Sequence, residues 1–173
     1  MTSLNNLQDL YVQQIKDLYS AERQLMQALP KMAKAAHAPE LKEAITSHLA
    51  QTEGHADRLQ TILNGLDIKM GSHTCKAMAG IIDEGNEILK MKGDPDVLDA
   101  GIIAAAQRAE HYEIAGYGCV RTYARTLGLT EDEKLLQKTL DEEGATDKRL
   151  TKLAEGAINN RARADHMPAE HVE

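Results

Sequence analysis

The chain has 173 residues, a formal net charge of −7 and 3% aromatic residues. This length fits one domain that can bury a core of its own. The Lys and Arg residues are scattered, which argues against a nucleic-acid surface. The first residues form no basic, apolar leader, and no later stretch approaches the ~20 apolar residues of a membrane span. We therefore expect a cytoplasmic domain with neither a membrane nor a nucleic-acid partner.

The residue types favour close-packed helices in a reducing compartment. All aromatic residues are tyrosines, so Leu, Ile, Met and Ala must build the core. The two cysteines, Cys75 and Cys119, lie far apart without the spacing of a metal-binding pair. Both are expected to be free thiols.

Apolar residues recur at helical spacing through the first third of the chain. From Asn5, the stripe continues for about seven turns to Met32. Pro30 is expected to kink or break the last turns. Pro39 suits the first turn of a second helix, and the Gly65 region closes that helix.

The middle of the chain predicts a long connection between the second and third long helices. Residues 67–74 are polar and contain glycine, so they predict a loop. A shorter amphipathic helix follows, from about Cys75 to Met91.

Two more long helices complete the pattern. Asp94 provides an N-cap for a helix that ends at Gly128. Thr130 and Glu133 form a Thr-x-x-Glu capping box, which predicts the start of a last helix through Ala157.

These elements predict an all-α fold, because no segment shows sustained alternation of apolar and polar residues. Four long helices in two pairs, joined by a crossover that contains a short fifth helix, indicate a four-helix bundle with one long connection. Residues 1–158 would form the bundle, and residues 159–173 would form a frayed tail.

Acidic residues interrupt the apolar stripe of the third long helix. Its inward positions are 103, 106, 110, 113, 117, 120, 124 and 127, and two of them are Glu110 and Glu113. If two carboxylates on adjacent turns were buried, at least one of them would take up a proton and become neutral unless a positive charge lay between them. A metal ion would supply that charge. Alternatively, this segment faces a wet groove or pairs with Arg and Lys.

Similar interruptions occur in the other long helices and give one candidate metal site. The candidate ligands are Glu22, Glu53, His55, Glu110, Glu113, Glu143 and Asp147. Such a set suits two divalent ions, iron or manganese, with Glu110 and Glu143 as bridges. His55 is favoured only slightly over His48. Glu53 lies beside the inner line of its helix and could instead reach solvent, and Asp147 could form a local ion pair.

Five segments carry a resemblance to a known family. They are Leu-Tyr-Ser-Ala-Glu-Arg-Gln-Leu (18–25), His-Leu-Ala-Gln-Thr-Glu-Gly-His (48–55), Cys-Lys-Ala-Met-Ala-Gly-Ile-Ile-Asp-Glu (75–84), Ala-Ala-Ala-Gln-Arg-Ala-Glu-His-Tyr-Glu-Ile-Ala-Gly-Tyr-Gly (104–118) and Thr-Leu-Asp-Glu-Glu-Gly-Ala-Thr-Asp-Lys-Arg-Leu (139–150). Except in the tail, the chain resembles the YciF/YciE-type bacterial proteins of the ferritin-like superfamily. The resemblance implies a ferritin-like bundle, a dimer, a two-metal site and a link to bacterial stress. It also implies that the carboxylate ligands are Glu22, Glu110, Glu113 and Glu143.

The sequence departs from this pattern in the second helix. Relatives commonly have Glu where this chain has Ala50 or Gln51. The Glu-x-x-His motif of the wider superfamily is also absent, since Ala56 follows Glu53 at that spacing. Either Glu53 and His55 compensate, or one of the two metal positions is poorly held or empty.

Two functions remain open at this point. The first is a two-metal carboxylate protein that consumes oxygen or peroxide, oxidises Fe(II) or sequesters iron. The second is a stress-induced structural or interaction protein that has kept the bundle and lost the chemistry.

The short crossover helix raises the question of assembly. Its apolar residues are Ala77, Met78, Ile81, Ile82 and Ile88. Together they present more apolar surface than one narrow contact with the bundle would cover, so we expect a symmetric homodimer rather than a storage shell. Alternatively, this helix lies flat on the bundle and buries its apolar face there.

Overall fold

A computed structural model describes residues 4–164, and all regular structure in this range is helical. The elements are α1 (Leu7–Ala35), α2 (Pro39–Gly65), α3 (Lys76–Lys90), α4 (Pro95–Thr126), α5 (Thr130–Leu153), a short π-helical segment (Ala154–Ile158) and α6 (Asn159–Ala164). The predicted all-α bundle is confirmed.

The four long helices enclose a common core. α1 pairs with α2, and α4 pairs with α5, while α1 also contacts α4 and α2 contacts α5. The links 36–38 and 127–129 are short, so the helices of each pair are antiparallel neighbours. The crossover from α2 to α4 contains α3, which packs on α4 and α1. This is the predicted four-helix bundle with a short fifth helix in its long connection.

The helix ends agree with the sequence at some positions and not at others. The Asp94 side chain caps α4 by accepting from the backbone N–H groups of Asp96 (2.9 Å) and Val97 (3.1 Å), as predicted. The predicted capping box of α5 is wrong, because Leu129 rather than Thr130 is the N-cap and no side chain caps it. Gly128 (φ 73°) ends α4 in a tight turn that leaves a single residue before α5.

Two further predictions about chain breaks need correction. α1 does not break at Pro30 but continues to Ala35, since a proline removes only one intrahelical hydrogen bond and buried neighbours such as Met32 hold the helix in place. The alternative, a kink at Pro30, stays a prediction. The helical structure also extends past the predicted boundary at residue 158, because α6 packs against α4. The rest of the predicted tail, residues 165–173, lies outside the described residues.

The core consists of two apolar clusters, one toward each end of the bundle. The upper cluster includes Leu25, Met32, Ile45, Met78, Ile102 and Leu150. The lower cluster includes Tyr11, Ile15, Leu18, Leu59, Val120 and Leu136. Along each long helix, the residues between these two clusters are the ones that the sequence marks as polar interruptions.

The crossover helix α3 covers the upper cluster. Met78 is fully buried, and Ile81 and Ile82 are half-buried against this cluster. The predicted apolar patch is therefore largely satisfied within the chain, although Ile88 keeps some exposure. In the described range, no helix is both long enough and apolar enough to cross a membrane.

Assembly as a symmetric dimer stays a prediction, motivated by the apolar surface that α3 still presents. Light scattering coupled to size-exclusion chromatography should give twice the 19.0 kDa mass of the chain. A monomer would mean that α3 is satisfied by the bundle alone. A shell of a dozen or more subunits would point instead to iron storage.

Asp99 of α4 holds the turn between α1 and α2. Its side chain is fully buried and accepts from the backbone N–H groups of His37 (2.8 Å) and Ala38 (2.7 Å). Ala38 is the N-cap of α2 and has no side-chain oxygen to offer, so Asp99 supplies the cap from another helix.

Replacing Asp99 with Ala should therefore lower the free energy of unfolding by about 2–5 kcal/mol, because two backbone donors lose their acceptor. Urea denaturation measures this change. Asp96→Ala on the same helix is the matched control, since it removes only a surface ion pair with Arg161 and should cost much less. Equal losses in the two variants would contradict the role of Asp99.

Candidate metal centre

A buried layer of charged side chains separates the two apolar clusters. We call it the polar layer, and its members are Glu22, His48, His55, Glu110, Glu113 and Glu143. Each is at most 3% exposed. All four long helices contribute at least one of these side chains.

Helix geometry explains why these side chains meet. His48 and His55 are seven residues apart on α2, which places them two turns apart on one face. Glu110 and Glu113 are three residues apart on α4 and also share a face. The imidazole centroids of the two histidines lie 6.3 Å apart.

The first group of possible ligands comprises Glu22, His55 and Glu143. One donor atom from each lies within 4.8 Å of the other two. His55 Nδ1 is 2.8 Å from Glu143 Oε1 and 3.4 Å from Glu22 Oε1. The Tyr117 hydroxyl donates a hydrogen bond to Glu22 Oε1, the same oxygen that faces His55 Nδ1, and so orients this carboxylate.

The second group comprises His48, Glu113 and Glu143, and its donor atoms also lie within 4.8 Å of one another. His48 Nε2 is 3.0 Å from Glu110 Oε1 and 4.0 Å from Glu143 Oε2. Glu143 therefore belongs to both groups, and Glu110 lies beside the second.

Many ligand atoms in the polar layer have no hydrogen-bond partner. Both carboxylate oxygens of Glu113 and Glu143, one oxygen each of Glu22 and Glu110, and Nδ1 of His55 are buried and unsatisfied. The close approach of His55 to Glu143 is thus an ion-pair contact without hydrogen-bond geometry. Because unpaired buried polar atoms are costly, this set fits a cation better than it fits an empty core. Carboxylate and imidazole together suit iron or manganese.

The electrostatics of the polar layer favour protonation when no cation is present. Burial raises the pKa of Glu110 to about 8, although His48 opposes the shift. Burial and then the neighbouring carboxylates raise the pKa of Glu113 well above its usual value. Burial lowers the pKa of His55, but Glu143 and Glu22 outweigh it and raise that pKa to about 10. In contrast, the two histidines outweigh burial at Glu143 and lower its pKa.

Five of the seven predicted ligands meet in this layer: Glu22, His55, Glu110, Glu113 and Glu143. The structure does not bring the other two into it. Glu53 is exposed on α2, because the adjacent Thr52 takes the inward position. Asp147 is half-buried outside the layer, where it accepts from Gln107 Nε2 (3.0 Å) and lies 3.3 Å from His111 Nε2.

Sequence reasoning gave His48 too little weight. The two histidines share a face of α2, and this spacing of seven residues is a signal that could have identified His48. α2 therefore places two imidazoles in the layer, while Glu53, the other candidate of this helix, stays outside it.

A small, mostly apolar pocket borders the layer. It lies between α1, α3 and α4, and its walls include Leu29, Ile82, Asn86 and Ala106, with Glu110 also lining it. Of the members of the polar layer, Glu110 is the one that lines this pocket.

The fold and the site define a helical-bundle protein with a buried centre of carboxylates and imidazoles. Residues 6–163 match the family described as Domain of unknown function (DUF892), and the chain belongs to this family.

Comparisons with individual proteins agree with this assignment and confirm the resemblance to YciF-type proteins. Protein YciF of Escherichia coli (strain K12) is 41% identical over 161 residues, which cover 92% of this chain and 97% of YciF. The crystal structure of YciF, described as an E. coli stress protein, matches with a TM-score of 0.86 over 90% of this chain and 99% of that chain.

Two other solved structures share the fold. YcfI from Rhodopseudomonas palustris, for which a structural role has been suggested, is 37% identical with a TM-score of 0.83 and covers 86% of this chain and 95% of its own. A protein from Xanthomonas campestris pv. campestris is 20% identical, with a TM-score of 0.74 over 94% of this chain and 100% of that chain, and shows the likeness of fold alone.

The raised pKa values lead us to expect a metal-free protein that loses stability as pH rises. Above pH ~4.5 the unfolded chain releases the protons of Glu110 and Glu113 while the folded chain retains them, so stability falls up to the folded pKa. The stabilisation from charged His55 is complete below about pH 6.5 and is lost as pH rises toward about 10. Denaturant unfolding in chelator should thus give a smaller free energy at about pH 9 than at about pH 6.

Glu110→Gln should flatten this dependence, because it removes one of the titrating groups. Glu53→Gln, which removes an exposed carboxylate from α2, should leave the dependence unchanged. A stability that rises between these two pH values would contradict the electrostatic account of the layer.

Proposed function

We propose that the polar layer binds two divalent metal ions, iron or manganese. The protein would then be a ferritin-like two-metal carboxylate protein of the bacterial stress response that oxidises Fe(II) or consumes peroxide. The observation that carries this proposal is the set of seven buried ligand atoms without hydrogen-bond partners among the described residues. A buried metal centre accounts for their position and for their unsatisfied state.

The geometry supports a proposed role for each side chain. Glu22 and His55 would hold one ion, and His48 and Glu113 would hold the other. Glu143 would bridge the two, because it belongs to both groups.

Glu110 lies beside the second position and could complete it. In the metal-free protein burial raises the pKa of Glu110 to about 8, so this carboxyl would release its proton when a cation binds there at neutral pH. In this assignment Glu143 keeps its predicted bridging role, while Glu53 and Asp147 have none.

The chemistry would be redox chemistry, since bound iron or manganese exchanges single electrons with oxygen or peroxide. The chain itself would exclude bulk water, because the apolar clusters close the layer from both ends. Tyr117 would orient Glu22 through its hydrogen bond. The pocket between α1, α3 and α4 would admit a substrate the size of oxygen or peroxide at the Glu110 edge.

The link to stress rests on the relative. E. coli YciF is described as a stress protein and shares 41% identity with this chain over most of both lengths. Oxidising Fe(II) or consuming peroxide would be a direct contribution to such a response.

One observation favours a second candidate function. His48 pairs with Glu110 and His55 pairs with Glu143, so the layer partly satisfies itself through internal ion pairs. A structural or interaction protein could use these pairs to hold the bundle together without metal. The structural role suggested for YcfI fits this alternative.

Metal binding separates the two functions. Metal-free protein incubated with Mn(II), or anaerobically with Fe(II), and then desalted should retain about two ions per chain by elemental analysis. Glu143→Gln should lose most of this metal, because it removes the ligand that both positions share. At a free ion concentration a hundredfold above Kd, each occupied site should also stabilise the wild type by about 2.7 kcal/mol.

Glu53→Gln is the matched control, since it removes an exposed carboxylate from the neighbouring helix and should bind as the wild type does. Retention of less than half an ion per chain, with no stabilisation by either metal, would favour the structural alternative. The redox part of the proposal requires oxygen- or peroxide-dependent oxidation of Fe(II) faster than in buffer, and loss of this rate in Glu143→Gln.

A further inference from the structure

The two imidazoles of the polar layer have different partners on their outer sides. His55 directs Nδ1 toward Glu22 and Glu143, while its Nε2 lies 3.0 Å from Glu142 Oε2. Glu142 is not a member of the layer, and its side chain is 24% exposed at the seam between α2 and α5. It therefore reaches the buried imidazole from outside.

Arg58 fixes the position of Glu142. Its guanidinium forms two hydrogen bonds to this carboxylate, Nη1 to Oε2 at 2.7 Å and Nη2 to Oε1 at 3.1 Å. Nη1 also donates to Thr139 Oγ1 at 2.9 Å, which anchors the guanidinium on α5. This bidentate ion pair holds the Glu142 carboxylate in place beside His55.

His48 has a neutral and weaker outer partner. Its Nδ1 lies 3.4 Å from the hydroxyl oxygen of Thr146. That hydroxyl gives its own proton to Gln51 Oε1 at 3.2 Å, so its oxygen is left to accept from Nδ1–H. No carboxylate among the described residues contacts this outer nitrogen of His48.

This difference has a known consequence at metal sites. A carboxylate that accepts the outer N–H of an imidazole fixes its tautomer, orients the ring and makes the inner nitrogen a stronger ligand. A neutral hydroxyl at a long distance does this less effectively. The charged Glu142 thus prepares His55 Nδ1, but not His48 Nε2, to bind a cation.

We propose that Glu142, clamped by Arg58, is a positioning residue that makes the position of Glu22, His55 and Glu143 the first of the two to fill. This proposal rests on the proposed function, because it assumes that the polar layer binds two ions. It adds the order in which the two metal positions fill, and it names Glu142, which lies outside the layer, as the residue that sets this order.

The order of filling can be followed with zinc, which is diamagnetic and binds both carboxylate and imidazole. In metal-free protein labelled with ¹⁵N at histidine, the first equivalent of Zn(II) should shift His55 Nδ1 while Nε2 keeps its proton. The second equivalent should then shift His48. Shifts of His48 first, or of both rings in parallel, would overturn the order while leaving metal binding intact. If neither ring shifts after two equivalents, the proposed function fails and this inference fails with it.

The variant Glu142→Gln tests the cause of the order. It keeps an oxygen near His55 Nε2 but removes the charge, so the first calorimetric step of Zn(II) binding should weaken by about 10–100-fold while the second stays the same. Asp141→Asn is the matched control, because it removes an exposed carboxylate from the preceding position of α5 and should change neither step.

A purely structural role of the Glu142–Arg58 pair predicts a different pattern. In that case Glu142→Gln would lower the stability of metal-free protein and weaken both steps equally, or neither, and our assignment would be wrong. The filling order of the wild-type protein needs no variant, so the inference is tested even if Glu142→Gln does not fold.

Discussion

The bundle must balance the charge of four glutamates in one buried layer, and this requirement shapes the rest of the molecule. Four ionised carboxylates and two imidazolium groups leave a net charge of −2, which protonation of Glu110 and Glu113 would cancel. Two divalent ions carry a charge of +4, which balances the −4 of the same four carboxylates when both imidazoles are neutral. The layer thus has a neutral arrangement with protons and another with metal, and metal binding would exchange four protons for two ions.

The polar layer also divides the core, so the ends of the bundle must supply the stability that its middle lacks. Ordinary bundles continue their apolar seams through the centre, whereas here each cluster is confined to one half. The upper cluster is closed by α3 and by the turn that Asp99 caps. Close contact between helices contributes as well, because Gly116 of α4 leaves room for Leu18, and a Cβ there would lie 2.7 Å from its Cδ2. The packed ends can then hold the unsatisfied carboxylate and imidazole atoms at a fixed spacing in the middle.

The sequence predicted the helices and much of the site because both depend on periodicity within one helix. Glu110 and Glu113 could be found from the stripe that they interrupt. The same pattern could not exclude Glu53, which lies beside the inner line of α2, since a small rotation of this helix decides whether that side chain faces inward and the partner helices set the rotation. The prediction of a capping box at Thr130 was wrong for a similar reason, because it also depends on the neighbouring structure. The turn at Gly128 makes Leu129 the N-cap of α5, so Thr130 is already the first residue of the helix.

The composition of the site explains why a motif search finds so little in α2. In ferritin-like two-metal bundles, one Glu from each of two helices joins a Glu-x-x-His motif from each of the other two, which gives four carboxylates and two imidazoles. The polar layer has the same composition, but α2 supplies both imidazoles and α4 supplies two carboxylates, while α5 carries Thr146 where the motif would place a histidine. Charge balance depends on how many carboxylates and imidazoles meet, not on which helix provides them. A carboxylate or imidazole on one helix can therefore do the work of one on its neighbour at the same level, and in this chain two imidazoles lie on one helix with unequal outer partners.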